Sequence, residues 1–266
     1  MKQRIVTGGL LSLIVLLAIC YLNNTAFNIL VAALLLLAAW EWSSIINAKR
    51  QLFPCVLYLI MTSFLLLISS YFTFTVLVIS AVFWLLSPLL IYSYTRQKFN
   101  NILSKWLYII GFGAIVPFGV ATNLLHDKNP LLLIVVLITV SCADSGAYFI
   151  GNMYGKRQLS PKISPQKTTE GLFGGVLFGC SAGFISSLCL DVTITQVILV
   201  NLLNFFIVII ALLGDLTQSI LKRISGIKDS GWILPGHGGI LDRLDSILSS
   251  VPCFTLCAVL IRLIMI

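Results

Sequence analysis

Two acidic side chains near the C-terminus, those of Asp242 and Asp245, are three residues apart in the segment LDRLD. On a helix this spacing turns both carboxylates to one side, where like charges repel unless a cation or an arginine lies beside them. Mg²⁺ binds a few carboxylate oxygens and completes its shell with water and phosphate oxygens, so the pair indicates a divalent-cation site. Solvated acids at a helix start, which the helix dipole favours, would give the same spacing.

The segment DLTQSILKR, residues 215–223, combines one acid with two cations. Its polar residues fall on overlapping sectors of one predicted helix, and they are Asp215, Ser219, Lys222 and Arg223. An acid one to two turns from two cations can bind a metal while the cations hold phosphate groups. A basic helix end that stops a membrane span has the same composition, and both interpretations remain open.

Glycines in the segment PGHGG, residues 235–239, allow the backbone amides to approach an anion closely. Gly236, Gly238 and Gly239 also precede a predicted helix start, where free N–H groups favour phosphate. His237 could orient a phosphate or pair with an acid. Ordinary turns use glycine and proline too, and a histidine is often satisfied within such a turn.

The rest of the chain is strongly apolar and must position these residues from within a membrane. Only 10% of the residues are charged and mean hydropathy is +1.04, whereas a soluble domain typically has about 25% charged residues. With 266 residues, the chain has room for membrane-spanning helices and short connections but for no separate soluble domain. The predicted class is therefore an all-α, polytopic integral membrane protein.

Hydropathy predicts nine spans, and the third and fourth are divided near residues 69–71 because about 40 apolar residues are twice what one crossing needs. The predicted spans are 5–22, 26–46, 52–70, 72–93, 106–125, 131–150, 171–190, 194–214 and 248–265. Within the seventh span, Gly171, Gly175, Gly179 and Gly183 recur every four residues. We interpret all but Gly171 as a ridge for close helix packing.

Positive charge predicts the orientation of these spans. Alternate connections collect all but two of the 17 Lys and Arg residues, the exceptions being Lys128 and Arg262. The positive-inside rule then places the N-terminus in the cytoplasm and the C-terminus outside. The net charge of +8 belongs to the cytoplasmic face, where it suits anionic headgroups or phosphorylated substrates, and nucleic-acid binding is not needed to explain it. Two cytoplasmic loops are long, 151–170 and 215–247, and the first is predicted to be irregular chain. The second is predicted to continue the helix of the eighth span, to break at residues 225–239 and to resume as a helix at Ile240 that leads into the ninth span.

Five acids lie within or at the mouths of the spans, and each insertion costs roughly 2.5 to 3.5 kcal/mol. They are Glu41, Asp144, Asp215, Asp242 and Asp245. All five fall toward the predicted cytoplasmic ends, as a single cavity facing the cytoplasm would require.

Taken as one string, the polar residues from Ser219 to Asp245 resemble the signature of the phosphatidate cytidylyltransferases, also called CDP-diacylglycerol synthases. The matching positions are Ser219, Lys222, Arg223, Lys228, Asp229, residues 235–239, Asp242, Arg243 and Asp245. Three upstream segments extend the resemblance: ADSGAY at 143–148, SPQKTTEG at 164–171 and GDL at 214–216. The likeness covers about the second half of the chain in detail. One position departs from it, since Gln218 stands where the family commonly has glutamate.

The resemblance implies that CTP and phosphatidic acid react to give CDP-diacylglycerol and pyrophosphate, with Mg²⁺ as cofactor. The lipid phosphate would attack the α-phosphorus of CTP directly, without an enzyme nucleophile. The implied metal ligands are Asp215, Asp242 and Asp245, with Asp144 as a further ligand. The implied phosphate clamp is formed by Lys167, Lys222, Arg223, Lys228 and Arg243. Ser219, Gly236, His237, Gly238 and Gly239 would contribute to substrate binding.

The chain then divides into two predicted regions. Residues 1–125, spans one to five, would provide packing and lipid access, and residues 126–266, spans six to nine, would form the catalytic region. The expected location is the inner, cytoplasmic membrane with the active site facing the cytoplasm. The resemblance is compatible with a homodimer, although no residue of the sequence demonstrates one.

Two other functions also fit parts of the pattern. A secondary transporter would use intramembrane acids to bind a coupling ion, although such acids usually lie near the bilayer midplane between two similar halves. A related CTP-using enzyme could act on a different lipid phosphate or a lipid alcohol, because acyl-chain selectivity would lie in the weakly patterned first half.

Overall fold

A computed structural model describes residues 2–46, 52–96, 102–190, 193–231 and 238–264 of the protein. Its helices are α1 (Lys2–Tyr21), α2 (Asn24–Ile46), α3 (Leu52–Ser69), α4 (Thr73–Thr95), α5 (Ile102–Lys128), α6 (Pro130–Tyr154), α7 (Thr169–Ser187), α8 (Ile194–Ile224), α9 (Leu241–Leu244) and α10 (Ile247–Leu260). Apart from the four-residue α9, each helix coincides with one predicted span. The all-α prediction is confirmed.

Several of these helices are suited to a membrane. By length and composition alone, α2, α4, α6, α8 and most of α5 are long and apolar enough to cross one. Shorter apolar helices lie within α1 and α3 and form α10. The architecture is that of a polytopic membrane protein, while the sides on which the two termini lie stay a prediction.

The long apolar run between residues 52 and 95 is divided where the sequence predicts. A 3₁₀ turn at Ser70–Phe72 ends α3 and leads into α4. Phe72 leaves the helical conformation, with φ −124° and ψ 35°. The chain therefore changes direction after about one membrane thickness, and the two halves form separate helices.

Helix α10 lies inside the bundle and contacts α4, α5, α6 and α8. Ten of its 14 residues are buried, as expected for a helix that is apolar on all sides. Phe254 of α10 is among the largest fully buried side chains of the protein, together with Trp42, Tyr58 and Trp84. Because α9 lies within the LDRLD segment and α10 follows it, the position of α10 fixes where that segment enters the bundle.

A close contact between α8 and α10 depends on Gly214. A methyl group at this position would lie 2.8 Å from the Ser249 Cβ and 3.0 Å from the Asp245 carbonyl oxygen. The Ser249 hydroxyl donates a hydrogen bond to the Ile210 carbonyl oxygen at 3.1 Å, which ties the two helices together. Asp215 and Asp245 are thereby brought to the same place.

Glycines on one side of α7 allow it to pack closely against α6. A methyl group at Gly175 would lie 3.0 Å from the Ala143 carbonyl oxygen, and one at Gly179 would lie 2.9 Å from the Ala143 Cβ. The predicted packing ridge is confirmed, and Gly171 belongs to it as well, 2.7 Å from the Ala147 carbonyl oxygen on the same measure. Since Asp144 follows Ala143, this contact positions Asp144 beside α7.

The connection 151–170 differs from the irregular chain that its Gly, Ser and Pro content predicts. Helix α6 continues to Tyr154, and β1 (Gln158–Ser160) and β2 (Ser164–Thr168) then form an antiparallel hairpin. The Glu170 carboxylate accepts the Lys156 and Arg157 amides at 3.0 and 3.2 Å, which joins the hairpin to the start of α7. Strands of three and five residues are too short to give a pattern that composition reveals.

Electrostatics at this junction favour an ionised Glu170. Its own backbone amide and that of Lys156 donate to the carboxylate and lower its pKa to about 2. The residues that lead into the hairpin are therefore held by a charged acceptor. This contact helps to fix the position of the hairpin and of Lys167 on β2.

The second long loop, 215–247, is largely helical at both ends, as predicted. Helix α8 continues to Ile224, so Asp215, Ser219, Lys222 and Arg223 do share one helix. The predicted helix from residue 240 into the last span is divided by a turn at residues 245 and 246 into α9 and α10. Both turn residues keep helical dihedral angles, so Asp242 and Asp245 stay one turn apart.

Candidate active site

A cavity of about 380 Å³ lies between α6, the hairpin, α7, α8 and α9, and it collects most of the predicted charged residues. The charged side chains that line it are Asp144, Lys167, Asp215, Asp242, Arg243 and Asp245. A larger cavity of about 540 Å³ lies between α2, α3 and α5 but has a mainly apolar lining. The predicted site residues are therefore gathered at the smaller cavity.

Lys167 and Asp215 form an ion pair across this cavity. Each side chain is 23% exposed, so the pair faces the cavity and is not sealed in the core. The Ser219 hydroxyl lies 3.4 Å from Asp215 Oδ1, one turn along α8. The lysine of the SPQKTTEG segment and the acid that begins DLTQSILKR, far apart in sequence, are thus direct neighbours.

Lys222 and Asp242 form a second ion pair, with Lys222 Nζ 2.8 Å from Asp242 Oδ1. Asp242 Oδ2 accepts the backbone amides of Ser230 and Gly239, each at 2.9 Å. Burial by itself would raise the pKa of Asp242, but the charge of Lys222 and these donors lower it overall. Asp242 is consequently an ionised residue with partners on both oxygens.

Asp245 has different surroundings from Asp242, although the two are one turn apart. Burial and the negative charges of Asp215 and Asp144 raise the pKa of Asp245 well above its usual range, and Lys222 and Lys167 offset this only in part. The carboxylates of Asp144, Asp215 and Asp245 line one cavity, and the negative charges of the first two disfavour ionisation of Asp245. A cation among them would offset those charges.

The fit of Mg²⁺ can be judged from these side chains. Carboxylate oxygens are the hard donors that Mg²⁺ takes. Four carboxylate groups line one cavity, which also has room for phosphates. Within the described ranges, however, no three acidic, histidine or cysteine side chains are gathered closely enough to hold an ion. Two of the acids are instead paired with lysines. The donor set suits the ion by chemistry and location, without a coordination shell already assembled.

The glycine segment lies partly outside the described residues. Gly236 and His237 belong to residues 232–237, which the structure does not describe. Gly238 has a positive φ of 81°, a conformation that favours glycine. The Gly239 amide, predicted to bind phosphate, donates to Asp242 in this structure.

The remaining predicted cations are more peripheral. Arg243 lines the cavity and is exposed. Arg223, in the last turn of α8, and Lys228, in the loop after it, are both exposed and do not belong to the described lining of the cavity. Gln218 is buried in α8, and its Nε2 has no hydrogen-bond partner among the described residues.

Glu41 also lies at this site. The sequence places it toward the same ends of the spans as the other acids but assigns it no function. It reaches the segment before α9 from α2 and accepts hydrogen bonds from Ser230, Ile240 and Leu241. The available signal was a carboxylate in an otherwise apolar span, which needs a partner to be tolerated. Its partners are about 200 residues away in the chain, and no local pattern identifies them.

A polytopic helical protein with a cavity that combines carboxylates, lysines and an arginine has the features of a membrane enzyme acting on phosphorylated substrates. A sequence model described as the cytidylyltransferase family matches residues 2–261. The chain belongs to this family, and the predictions of family and enzyme class are confirmed.

Individual relatives match over nearly their whole length. A phosphatidate cytidylyltransferase of Haemophilus influenzae is 36% identical, over 96% of this chain and 97% of the relative. Proteins of the same name from Pseudomonas aeruginosa and Bacillus subtilis are 34% and 35% identical, over 96% and 95% of this chain and 95% of each relative. The likeness thus includes the first half of the chain, which the motifs did not cover.

Proposed function

We propose that this protein transfers the cytidylyl group of CTP to phosphatidic acid, forming CDP-diacylglycerol and releasing pyrophosphate. The observation that carries the proposal is the cavity in which Lys167 and Arg243 lie with four carboxylates among apolar helices, one of these carboxylates being paired with Lys222. End-to-end likeness to proteins named phosphatidate cytidylyltransferase supports the choice of substrates.

The reaction needs positioning and charge neutralisation. An oxygen of the lipid phosphate attacks the α-phosphorus of CTP, the bond from that phosphorus to the bridging oxygen breaks, and pyrophosphate leaves with the bond's electrons. Two polyanions must come together, so cations fixed at the cavity wall lower the barrier by stabilising the developing charge. Lys167 and Arg243 at the wall, and Lys222 beside Asp242, are suited to this role. Arg223 and Lys228, which are exposed, would add positive charge outside the described lining.

We assign Mg²⁺ to the carboxylates of Asp144, Asp215, Asp242 and Asp245. When bound, Mg²⁺ supplies neutralisation of phosphate charge and stabilisation of the leaving pyrophosphate. Without the ion, Asp215 and Asp242 are compensated by lysines. Coordination of these acids would leave Lys167 and Lys222 available to phosphate oxygens, so that the same side chains serve both the resting and the working state.

The active site is proposed to face the cytoplasm from the inner membrane. The distribution of Lys and Arg favours this side for the ends of α2 and α8, and CTP is a cytoplasmic nucleotide. A homodimer remains a prediction from the family resemblance, and light scattering of the purified protein would measure it.

The deciding experiment uses purified full-length protein in detergent micelles with phosphatidic acid, labelled CTP and Mg²⁺, followed by thin-layer chromatography. We expect a CDP-lipid and pyrophosphate in equal amounts, and neither product after chelation with EDTA. Product formation unaffected by EDTA would overturn the metal assignment. If no product forms with phosphatidic acid but product forms with another lipid phosphate or a lipid alcohol, the assignment of phosphatidic acid as the substrate is overturned.

A secondary transporter makes a different prediction. It would move substrate across liposome membranes without consuming CTP. Flux in reconstituted liposomes, measured beside CTP turnover in the same preparation, distinguishes the two functions.

A further inference from the structure

The Glu41 carboxylate on α2 is 2% exposed and binds a single segment of chain near α9. Its Oε1 accepts the Ile240 amide at 2.8 Å. Its Oε2 accepts the Leu241 amide and the Ser230 hydroxyl, each at 2.9 Å. Both carboxylate oxygens are therefore used, and two of the three donors are backbone amides.

The same segment is bound from its other side by Asp242. Ser230 donates its hydroxyl to Glu41 and its amide to Asp242, and Gly239 donates to Asp242 next to Ile240, which donates to Glu41. The two ends of the stretch from residue 230 to residue 240 are thus held together by two carboxylates. One of these belongs to the catalytic cavity, and the other comes from the first half of the chain.

Two glycines allow the chain to pass this close to the carboxylate. A methyl group at Gly231 would lie 2.6 Å from Glu41 Oε1, and one at Gly239 would overlap both Glu41 and Ser230. Real Cβ atoms do not tolerate such contacts, so the glycines and the glutamate form one packed unit.

We propose that Glu41 is a positioning residue of the active site. It fixes Ser230, Ile240 and Leu241 and, through them, the Asp242–Lys222 pair and the Gly239 backbone. Its effect on catalysis rests on the function proposed above, whereas its effect on the segment does not.

The geometry requires a carboxylate and not an amide. In Glu41→Gln, one oxygen becomes an NH₂ group, which cannot accept a hydrogen bond. If the NH₂ replaces Oε1, the Ile240 amide loses its acceptor, and if it replaces Oε2, the Leu241 amide does. Either orientation leaves a buried backbone N–H facing another donor, which is the costly case.

The test compares Glu41→Gln with Glu41→Asp, which keeps the charge on a shorter side chain, and with Ser44→Ala as control. Ser44 lies one turn along α2, and its one hydrogen bond to a described residue goes to its own helix, at the Trp40 carbonyl oxygen. Full-length proteins are purified in detergent, and hydrogen–deuterium exchange is measured without substrates. For Glu41→Gln we expect roughly tenfold faster exchange in peptides covering residues 238–248, from the loss of one buried hydrogen bond.

Kinetics provide the second readout. For Glu41→Gln we expect the KM for CTP to rise roughly tenfold, because the glycine backbone and Lys222 no longer hold the nucleotide site. Glu41→Asp should lie between this variant and the parent, and Ser44→Ala should match the parent in both measurements. A variant that was merely less folded would lose kcat in proportion and keep the KM of the parent.

Each outcome decides the proposal. Unchanged exchange at residues 238–248 in Glu41→Gln overturns the contact, and faster exchange with an unchanged KM overturns the positioning role. If Glu41→Gln does not fold, Ser230→Ala, which removes one donor and keeps the Ser230 amide, must show the same changes in smaller size. A parent protein without CTP turnover refutes the proposed function, while the exchange experiment still decides whether Glu41 holds the segment.

Discussion

Asp245 has unfavourable electrostatic surroundings in the candidate site. It lies near Asp215 and Asp144, and burial and their charge disfavour its ionised form. Such surroundings make Asp245 unfavourable without a compensating charge, and they support the proposed cation site more directly than the spacing of the two acids does.

Asp245→Asn separates these two effects. We expect turnover to fall by roughly a hundredfold or more, because a neutral amide replaces a carboxylate ligand only poorly. The thermal midpoint of the metal-free protein should stay the same or rise, since the neutral amide replaces an acid whose ionisation the surroundings disfavour. Turnover with labelled CTP and a melting curve in EDTA measure both.

Asp127→Asn is the matched control for this substitution. Asp127 lies near the C-terminal end of α5 and is not part of the described lining of the cavity. It accepts a hydrogen bond from Asn24 at 2.6 Å, which an asparagine oxygen can also accept. Parental turnover in Asp127→Asn, and equally parental turnover in Asp245→Asn, would mean that Asp245 does not bind the ion.

The pair Lys222–Asp242 should behave differently, because its charges compensate each other. The two side chains are only 11% and 10% exposed, and Lys222→Gln would leave a buried carboxylate without its cation. We expect a cost of about 3 kcal/mol, seen as a fall of roughly 6 °C in thermal midpoint.

The double variant Lys222→Gln with Asp242→Asn should recover most of this stability and remain inactive. The asparagine oxygen can still accept the Ser230 and Gly239 amides, and the two new amides can bond to each other. Recovery of turnover in the double variant would show that the pair has only a structural role.

At the scale of helices, the contact of α8 with α10 brings Asp215 and Asp245 together. A methyl group at Gly214 would overlap the Ser249 side chain and approach the Asp245 backbone. The spacing of the two carboxylates thus depends on a position that has no side chain and takes no part in the chemistry.

Gly214→Ala should force α8 and α10 apart. We expect a loss of about 1 to 3 kcal/mol in stability from overpacking, and a larger proportional loss of turnover because two cavity acids separate. Gly113→Ala on α5 is the control, since a methyl group there meets nothing within 4 Å. Equal effects of the two substitutions, in melting curves and CTP turnover, would contradict this account.

In the folded protein, helix ends that the charge pattern assigns to the same side of the membrane lie close together. Glu41, near the end of α2, meets Ile240. Lys162 of the hairpin donates to the Thr95 carbonyl oxygen at the end of α4, at 2.9 Å. Asn24 and Asp127, at the opposite ends of α2 and α5, also meet. These contacts agree with the alternation of the predicted spans, and an experiment is needed to fix which side is the cytoplasm.

Reporter fusions provide that experiment. An enzyme that folds only outside the cytoplasm should be active when fused to the C-terminus and inactive when fused after Thr95, because the charge distribution places these points on opposite sides. The reverse pattern of activities would mean that the protein has the opposite orientation, with the cavity on the side of the membrane that lacks CTP.

The helices, the family and the types of residue in the cavity could all be predicted from the amino-acid sequence. Helix limits were predictable because a crossing needs about 20 apolar residues and hydropathy is a local property. The charged positions of the motif were recognisable because their spacing along the chain is local too. The hairpin was missed, since strands of three and five residues leave no periodicity to detect.

Only the tertiary structure decided which charges meet. Lys167 pairs with Asp215 across 48 positions, Lys222 with Asp242 across 20, and Glu41 binds Ile240 across 199. Pairing of this kind depends on how helices pack against glycine and small side chains, and packing is a property of several segments at once. The physical reason is that a buried charge selects its partner by proximity in space, which no single stretch of sequence contains.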